Sequence, residues 1–517
     1  MDHGFLSLTP ALLAIALAVV TKNVVLSLFG AVALAGIIHV GGHPLTGAAH
    51  ALDMVVAAVA DDDHAKTILF TVIIGAMVGV IGKSGGTRAV VEGLAKRAKS
   101  PRSVQVLSWL AGMVVFFDDY ANCMIVGSAM GPLCDRYRVP RAKLAYVVDS
   151  TAAPVASLAL VSTWVGFEVG VIQDGLKTAG QSIEPYGFFI EGWPYRFYPI
   201  LAMLFVGMIA ISGRDFGPML RAGQSVEVAE DDGAGEGDAP WWVAIAPIVT
   251  LVGVTLAVLW RTGSAKSPPG AALFEVLAGA DGYGAILIGA SAALALALVL
   301  SLATRSLGLQ EANEAAISGM KVMFEAIIVL VLAWSLSAAM KELQAPQYLV
   351  GLLRTTLPSF LLPTLVFVVG AAISFAVGSS YTTMGIMMPM VIPLAFELGG
   401  GDATVPLAAS GSVLAGACWG DHCSPISDTT ILSSIGSGSE LLEHVRTQLP
   451  YALAIGVISV VCGTLPAGFG VNPWVSLVAG LVASALLLRV LGQQSGQSEQ
   501  KAVLSLSPPS HREGDAS

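Results

Sequence analysis

The stretch SVQVLSWLAGMVVFFDDYANCMIVGSAMGPL, residues 103–133, decides how this chain folds. It is apolar at both ends and carries an acidic pair, Asp118-Asp119, at its middle. Before it lie Lys83, Arg88, Lys96, Arg97, Lys99 and Arg102; after it lie Arg136, Arg138, Arg141 and Lys143. Basic clusters of this kind stay on the cytoplasmic side of a membrane. A segment that begins and ends on one side must enter and return. Each arm then has about 15 residues, or about 22 Å of helix, short of the ~30 Å hydrocarbon layer. The stretch therefore predicts a re-entrant hairpin with its tip near Asp118-Asp119-Tyr120-Ala121-Asn122.

The rest of the chain agrees with a lipid solvent. Of 517 residues, 55% are hydrophobic and 12% charged, against about a quarter charged in soluble domains. Apolar runs near spanning length recur: Phe5–Val20, Val24–Val40, Thr67–Ile81, Phe197–Ser212, Trp242–Trp260, Tyr283–Ala303, Met320–Met340, Tyr451–Phe469 and Pro473–Leu491. The expected fold is an all-α polytopic membrane protein of about 11 transmembrane helices plus two re-entrant hairpins. No basic residue or small-residue cleavage site marks the first run as a signal peptide, so residues 1–23 are expected as an extra, retained helix. The net charge of −10 is carried largely by loops, above all Glu227 to Asp238, and no nucleic-acid partner is expected. The five cysteines show no CxxC spacing, which argues against a disulfide frame or a zinc site. His422-Cys423 reads as packing beside a helix break, and Trp164 and Trp419 as packing or interface residues.

Working outward from the hairpin, Leu144 to Val165 crosses the membrane but is interrupted at Asp149-Ser150-Thr151-Ala152-Ala153-Pro154. Residues 361–396 form a second pair of apolar arms around Gly378-Ser379-Ser380-Tyr381-Thr382-Thr383. Residues 404–435 cross with a break from Asp421 to Thr430. At an offset of 261, Asp118-Asp119-Tyr120 falls on Ser379-Ser380-Tyr381, and Ile125, Pro132 and Leu133 fall on Ile386, Pro393 and Leu394. The chain thus divides into a first repeat, 24–260, with hairpin 103–133 and broken helix 144–165, and a second, 283–491, with hairpin 361–396 and broken helix 404–435. The second repeat enters from the opposite side, giving inverted topology. Residues 261–282 are expected as an extracytoplasmic connecting loop and 492–517 as a disordered cytoplasmic tail. Paired interrupted helices in inverted halves point to a transporter with its site near the midplane.

Backbone without helical hydrogen bonds is tolerated at membrane depth only against protein or a water-lined cavity. Charged groups there cost at least ~2.5 kcal/mol each by insertion scales. Asp118, Asp119, Asp149, Asp421 and Asp428 therefore need partners, protons or a cation, although one or two could simply cap helices beside the breaks. A hard monovalent cation sheds water only where several oxygens replace it. Asn122, Ser150 and Thr151 in the first half, with Ser424, Ser427 and Thr429 in the second, supply such oxygens beside the aspartates. Ser379, Ser380, Thr382 and Thr383 could hold a second ion or a solute. No arginine lies within an expected span, Arg354 and Arg446 both falling in loops, which favours small cations over organic anions. None of the aspartates at the breaks lies in the Gly-x-Gly-Asp pattern of an intramembrane aspartyl protease, and no enzyme activity or cofactor is expected.

Three motifs carry a resemblance: Asp118-Asp119-Tyr120-Ala121-Asn122, Asp149 to Ser157 (DSTAAPVAS), and Gly420 to Thr430 (GDHCSPISDTT), followed by His444-Val445-Arg446-Thr447-Gln448-Leu449-Pro450-Tyr451. They are similar to signatures of the NhaC family of sodium/proton antiporters, over most of residues 67–470. The resemblance implies membership of the ion-transporter superfamily, a scaffold half and a transport half, and a homodimer working by an elevator motion. It implies Na+/H+ exchange across the cytoplasmic (inner) membrane of a prokaryote, with Na+ and H+ as the transported ions. Similar family members exchange malate with lactate or carry amino acids, so sodium- and proton-coupled exchange of an organic solute stays open as the alternative.

Overall fold

The computed structural model describes residues 4–21, 23–222, 237–268, 276, 280–353, 357–401, 403–425 and 427–494. The expected disordered tail lies outside them from residue 495 onward, as do residues 223–236 of the acidic loop. In a solvent that cannot bond to the backbone, a helix is the structure that satisfies its own peptide groups, and nearly every apolar run becomes one. The first half runs through α1 (Thr9–Thr21), α2 (Val24–His39), α3 (Pro44–Ala60), α4 (Asp62–Lys83) and α5 (Gly86–Ala95). Next come the arms α6 (Pro101–Val114) and α7 (Asp119–Arg136), then α8 (Arg141–Asp149), α9 (Ala153–Leu158) and α10 (Thr163–Thr178). It ends with α11 (Pro185–Glu191), α12 (Phe197–Ser212) and α13 (Trp242–Lys266). The second half has α14 (Gly282–Ala303), α15 (Leu309–Val322), α16 (Phe324–Glu342) and α17 (Ala345–Leu353), then the arms α18 (Leu362–Val377) and α19 (Ser380–Gly399). The broken pair α20 (Thr404–Cys423) and α21 (Asp428–Ser437) follows, then α22 (Leu441–Ile458), α23 (Leu465–Gly468) and α24 (Pro473–Leu491). Among the described residues, eight helices are long and apolar enough to cross a membrane, or up to ten if each bent pair is one span. The shorter apolar helices Gly4–Leu17 and Phe197–Ser212 complete the bundle.

Several boundaries differ from the sequence reading. The apolar runs leave 41–66 without an element, yet α3 forms there and folds back on α2 at 120°. It is amphipathic, burying Gly47, Ala51, Met54 and Ala58, so it fails an unbroken apolar test. The first broken helix is longer than 144–165 and is interrupted twice, at 150–152 and at 159–162. Pro154 starts α9 at a position where its missing N–H is harmless, and the Ser162 hydroxyl accepts from the N–H groups of Trp164 and Val165 to start α10. The connecting loop is shorter than 261–282, since α13 continues through Lys266 and α14 starts at Gly282; residues 269–275 and 277–279 lie outside the described residues.

The two hairpins turn at corresponding places. Asp118 and Ser379, paired by the 261-residue offset, are each the N-cap of the second arm, accepting from Ala121 N and Thr382 N respectively. Gly378, at φ +72°, lets the second hairpin reverse in two residues, a left-handed conformation that glycine adopts without strain. α7 runs alongside α21 in the same direction: Tyr120 meets Asp428, Cys123 meets Ser433, and Gly127 lies against Gly436. α10 runs alongside α19 likewise, with Phe167 against Tyr381 and Gly175 against Ile392. The second half of each broken helix therefore packs on the second arm of the other repeat's hairpin. α8 runs against α21, since Asp149 reaches Thr430 at one end and Arg141 reaches the Ser437 carbonyl at the other. The crossings 141–178 and 404–437 thus run in opposite senses, and the hairpins enter from opposite ends.

The α7–α21 contact is backbone against backbone: a Cβ on Gly436 would lie 2.4 Å from the Cys123 carbonyl oxygen. Gly436→Ala should therefore lower the apparent melting temperature of the purified protein, by the equivalent of about 1–3 kcal/mol of overpacking. Gly82→Ala, where nothing lies within 4 Å, should leave it unchanged. Equal melting of the two variants would refute this packing.

Candidate ion-binding site where the four breaks meet

Each break leaves peptide groups without helical partners, and side chains from the other breaks take them up. The Asn122 side-chain amide donates to the carbonyls of Gly112 (2.7 Å), Val115 (3.2 Å) and Thr151 (2.8 Å), tying the first hairpin tip to the first broken helix. The Thr163 N–H donates to the Phe117 carbonyl at 3.1 Å. On the other side, Ser374 and Ser380 donate to the Ala417 carbonyl at 2.7 and 3.2 Å, and Ser424 donates to Phe375 O at 2.8 Å. The polar residues of four interruptions are thereby gathered into one region.

Asp149, the last residue of α8, is fully buried at the centre of that region. Its Oδ2 accepts from Gln448 Nε2 (2.7 Å) and Thr430 Oγ1 (3.2 Å) and lies 3.2 Å from His444 Nε2. Its Oδ1 is buried with no hydrogen-bond partner among the described residues, as is the Asn122 Oδ1. Neighbouring Ser150 bonds to His422 Nε2 at 3.0 Å, and His422 Nδ1 bonds to Tyr198 OH at 2.6 Å. Gln448 also donates to the His422 carbonyl. The Thr151 hydroxyl donates back to its own helix, to Val147 O and Val148 O.

A second carboxylate group surrounds the first hairpin tip. Asp118 caps α7, so one of the five aspartates has the capping role that sequence alone allowed. Asp119 accepts from Trp164 Nε1 at 2.9 Å, while Tyr120 donates its hydroxyl to Asp428. Asp428 is exposed and opens α21, its Oδ1 accepting from the N–H of Thr429 at 2.8 Å. Ser427 and Thr429 bond to each other through their hydroxyls at 3.0 Å. Asp421 accepts from Ser380 at 3.0 Å. Of the four residues offered for a second ion or solute, Ser380 alone is seen reaching an aspartate. Thr382 bonds to Ser379 Oγ and Thr383 to Ser379 O, both within their own helical turn.

Several partners were missed in the sequence. His422 is part of the hydrogen-bonded centre and is not simple packing; Trp164 is a donor to Asp119. His444 and Gln448 approach Asp149 from almost 300 residues away, and the His444–Tyr451 motif is the one signal that pointed to them. Arginine is also buried in the bundle. Arg196 is buried in an ion pair with buried Glu168 at 2.8 Å, donates to the Ser157 carbonyl, and stacks over Phe189. Its burial has no local sequence signal, because it sits between the aromatic loop and the Phe197 run, at the N-terminus of α12. Arg354 lies outside the described residues, and Arg446 is exposed on α22. Lys143, counted with the basic cluster, is buried against Asp215 at 2.5 Å, and Tyr451 OH donates to the other Asp215 oxygen at 2.9 Å.

Residues 155–464 match the Na+/H+ antiporter family. An uncharacterised protein of Haemophilus influenzae is 31% identical over 496 residues, 94% of each chain. The Na+/H+ antiporter NhaC of Alkalihalophilus pseudofirmus is 30% identical over 155 residues, 30% of this chain and 32% of that one. The arginine/ornithine antiporter ArcD of Halobacterium salinarum is 39% identical over 104 residues, 19% and 21% of the two chains. In fold, the chain is similar to the YdaH transporter of Alcanivorax borkumensis, with a TM-score of 0.57 at 18% identity, covering 90% of this chain and 99% of that one. A multi-pass bundle with paired hairpins, matched to this family along most of its length, belongs to the Na+/H+ antiporter family of NhaC-like secondary antiporters.

Proposed function

We propose that the protein exchanges Na+ for H+, and that Asp149 is the carboxylate at which the two ions compete. The observation that carries this reading is the asymmetry of its two oxygens. Oδ2 is held by Gln448, His444 and Thr430, whereas Oδ1 is buried with no partner among the described residues. A buried unsatisfied oxygen costs about 1–3 kcal/mol, and either a proton or a cation removes that penalty. Na+ needs further oxygens, and the Asn122 Oδ1 and Ser150 hydroxyl belong to the same convergence. Asp118, Asp119, Asp421, Ser424, Ser427, Asp428 and Thr429 are the remaining proposed cation and proton ligands, with Asp428 and Tyr120 at the exposed edge as the entry. Exchange follows if the carrier changes sides only when the site holds one ion or the other. This reading carries with it a homodimer, an elevator motion and the cytoplasmic membrane of a prokaryote, as the family resemblance implies.

The alternative, coupled exchange of an organic acid or amino acid, draws support from the buried Arg196 and from the ArcD relative. Against it, Arg196 is already neutralised by Glu168. The Arg196 Nε and Nη2 are buried with no hydrogen-bond partner among the described residues, so a solute carboxylate would add a second negative charge beside Glu168 in order to reach them.

In proteoliposomes with an internal pH dye and no organic solute, external Na+ should drive prompt proton efflux, and Asp149→Asn should reduce it to background. Silence toward Na+, Li+ and K+, with a response once malate, lactate or an amino acid is added, would replace this reading by the alternative.

Single substitutions should separate the centre from the second hairpin. Gln448→Leu removes a donor to a charged acceptor, about 1.5–3 kcal/mol, and should slow Na+-driven efflux by roughly tenfold or more. Thr383→Ala, which loses only a bond within its own turn, should stay within about twofold of wild type. Equal loss in both would move the cation to the second hairpin tip.

A further inference from the structure

The turn between α2 and α3 builds a cluster that the transport site does not use. Gly41 and Gly42, at φ +72° and +95°, allow the chain to reverse within Val40–His43. Gly36 and Gly47 let the two backbones touch, since a Cβ on Gly36 would lie 2.4 Å from the Gly47 carbonyl oxygen. This approach stacks the imidazoles of His39 and His50, with ring centroids 4.5 Å apart and planes within 14°. Both rings converge on one carboxylate oxygen, Glu342 Oε2, at 3.5 Å from His39 Nδ1 and 2.8 Å from His50 Nε2. Glu342 is the last residue of α16, so the cluster joins the N-terminal helical hairpin to the second repeat.

We propose that His39, His50 and Glu342 form a binding site for a divalent transition ion of the zinc class. One ligand atom from each lies within 4.8 Å of the others. Tetrahedral zinc with bonds near 2.0–2.1 Å places its donors about 3.4 Å apart, so small side-chain rotations complete the geometry. Two imidazoles and a carboxylate suit zinc by ligand type, and water can supply the fourth position. The three side chains are 27–39% exposed, so an aqueous ion can enter without opening the bundle. His39 and Glu342 each end a helix, where the free carbonyls add partial negative charge that favours a cation. The bound ion would fasten the α2–α3 turn to the end of α16, away from the aspartates at the breaks.

The test uses the full-length protein, purified in detergent, stripped of metal and free of any polyhistidine tag. Titration with Zn2+ alone should give one ion per chain, and Co2+ should show the absorption of a tetrahedral site. Zn2+ should also raise the melting temperature, because it binds the folded state. His39→Ala/His50→Ala should weaken binding by roughly tenfold or more and abolish the thermal shift. His43→Ala, on the same turn but outside the cluster, should change neither. Glu342→Gln keeps the shape and removes the charged ligand, so it serves equally if the double variant fails to fold. Wild type without stoichiometric Zn2+ binding, or Glu342→Gln binding as tightly as wild type, would overturn the proposal.

Discussion

Four interrupted helices can share one apolar bundle only if every peptide group freed by an interruption finds a partner inside the protein, because lipid offers none. The interruptions meet this condition by meeting one another. Asn122 spends its amide on carbonyls from both sides of the first hairpin and from the first broken helix. Ser424 does the same for the Phe375 carbonyl at the end of α18, and Ser374 and Ser380 tie the second hairpin to the Ala417 carbonyl within α20. Gln448 brings α22 to the His422 carbonyl. The centre is therefore polar for a structural reason before it is polar for a functional one, and the same convergence that satisfies the backbone gathers the carboxylates.

Charge is distributed around that centre in pairs. Asp149 sits at the end of α8, and Lys143, two turns back along the same helix, is joined to Asp215 and through it to Tyr451. The two-residue strand pairing of Arg214–Asp215 with Gln493–Gln494 holds Asp215 in place. On the other side of the breaks, Glu168 of α10 is joined to Arg196. Buried pairs of this kind are a weak source of stability, but removing one member leaves an uncompensated charge. Their effect is to fix how α8, α10 and α12 sit against the rest of the bundle. Neutral donors and a histidine surround the aspartates between them: Trp164 meets Asp119, Ser380 meets Asp421, and Gln448, Thr430 and His444 meet Asp149.

The hairpins and breaks were legible because their signals are local. Basic residues on both flanks of 103–133 fix its ends to one side, and its length forbids two crossings. The 261-residue offset placed Asp118 on Ser379, and both proved to be N-caps at the hairpin tips. α3 and the second interruption at 159–162 were not legible, the first because an amphipathic helix lacks an unbroken apolar run. The second was hidden because Ala159 to Ser162 carries no charge or proline to mark it.

By itself the sequence determined the solvent, the helical class, the inverted plan and the residues at the breaks, since each follows from run length, charge position or motif within one segment. Tertiary structure alone decided which breaks face one another and which distant side chains complete them. His444 and Gln448 become partners of Asp149, Tyr120 becomes a donor to Asp428, and Arg196 acquires Glu168 through the packing of separate helices. The physical reason is that hydrogen bonding and burial depend on distances between helices, and those distances are set by close contacts such as Gly127 on Gly436, which no single segment encodes.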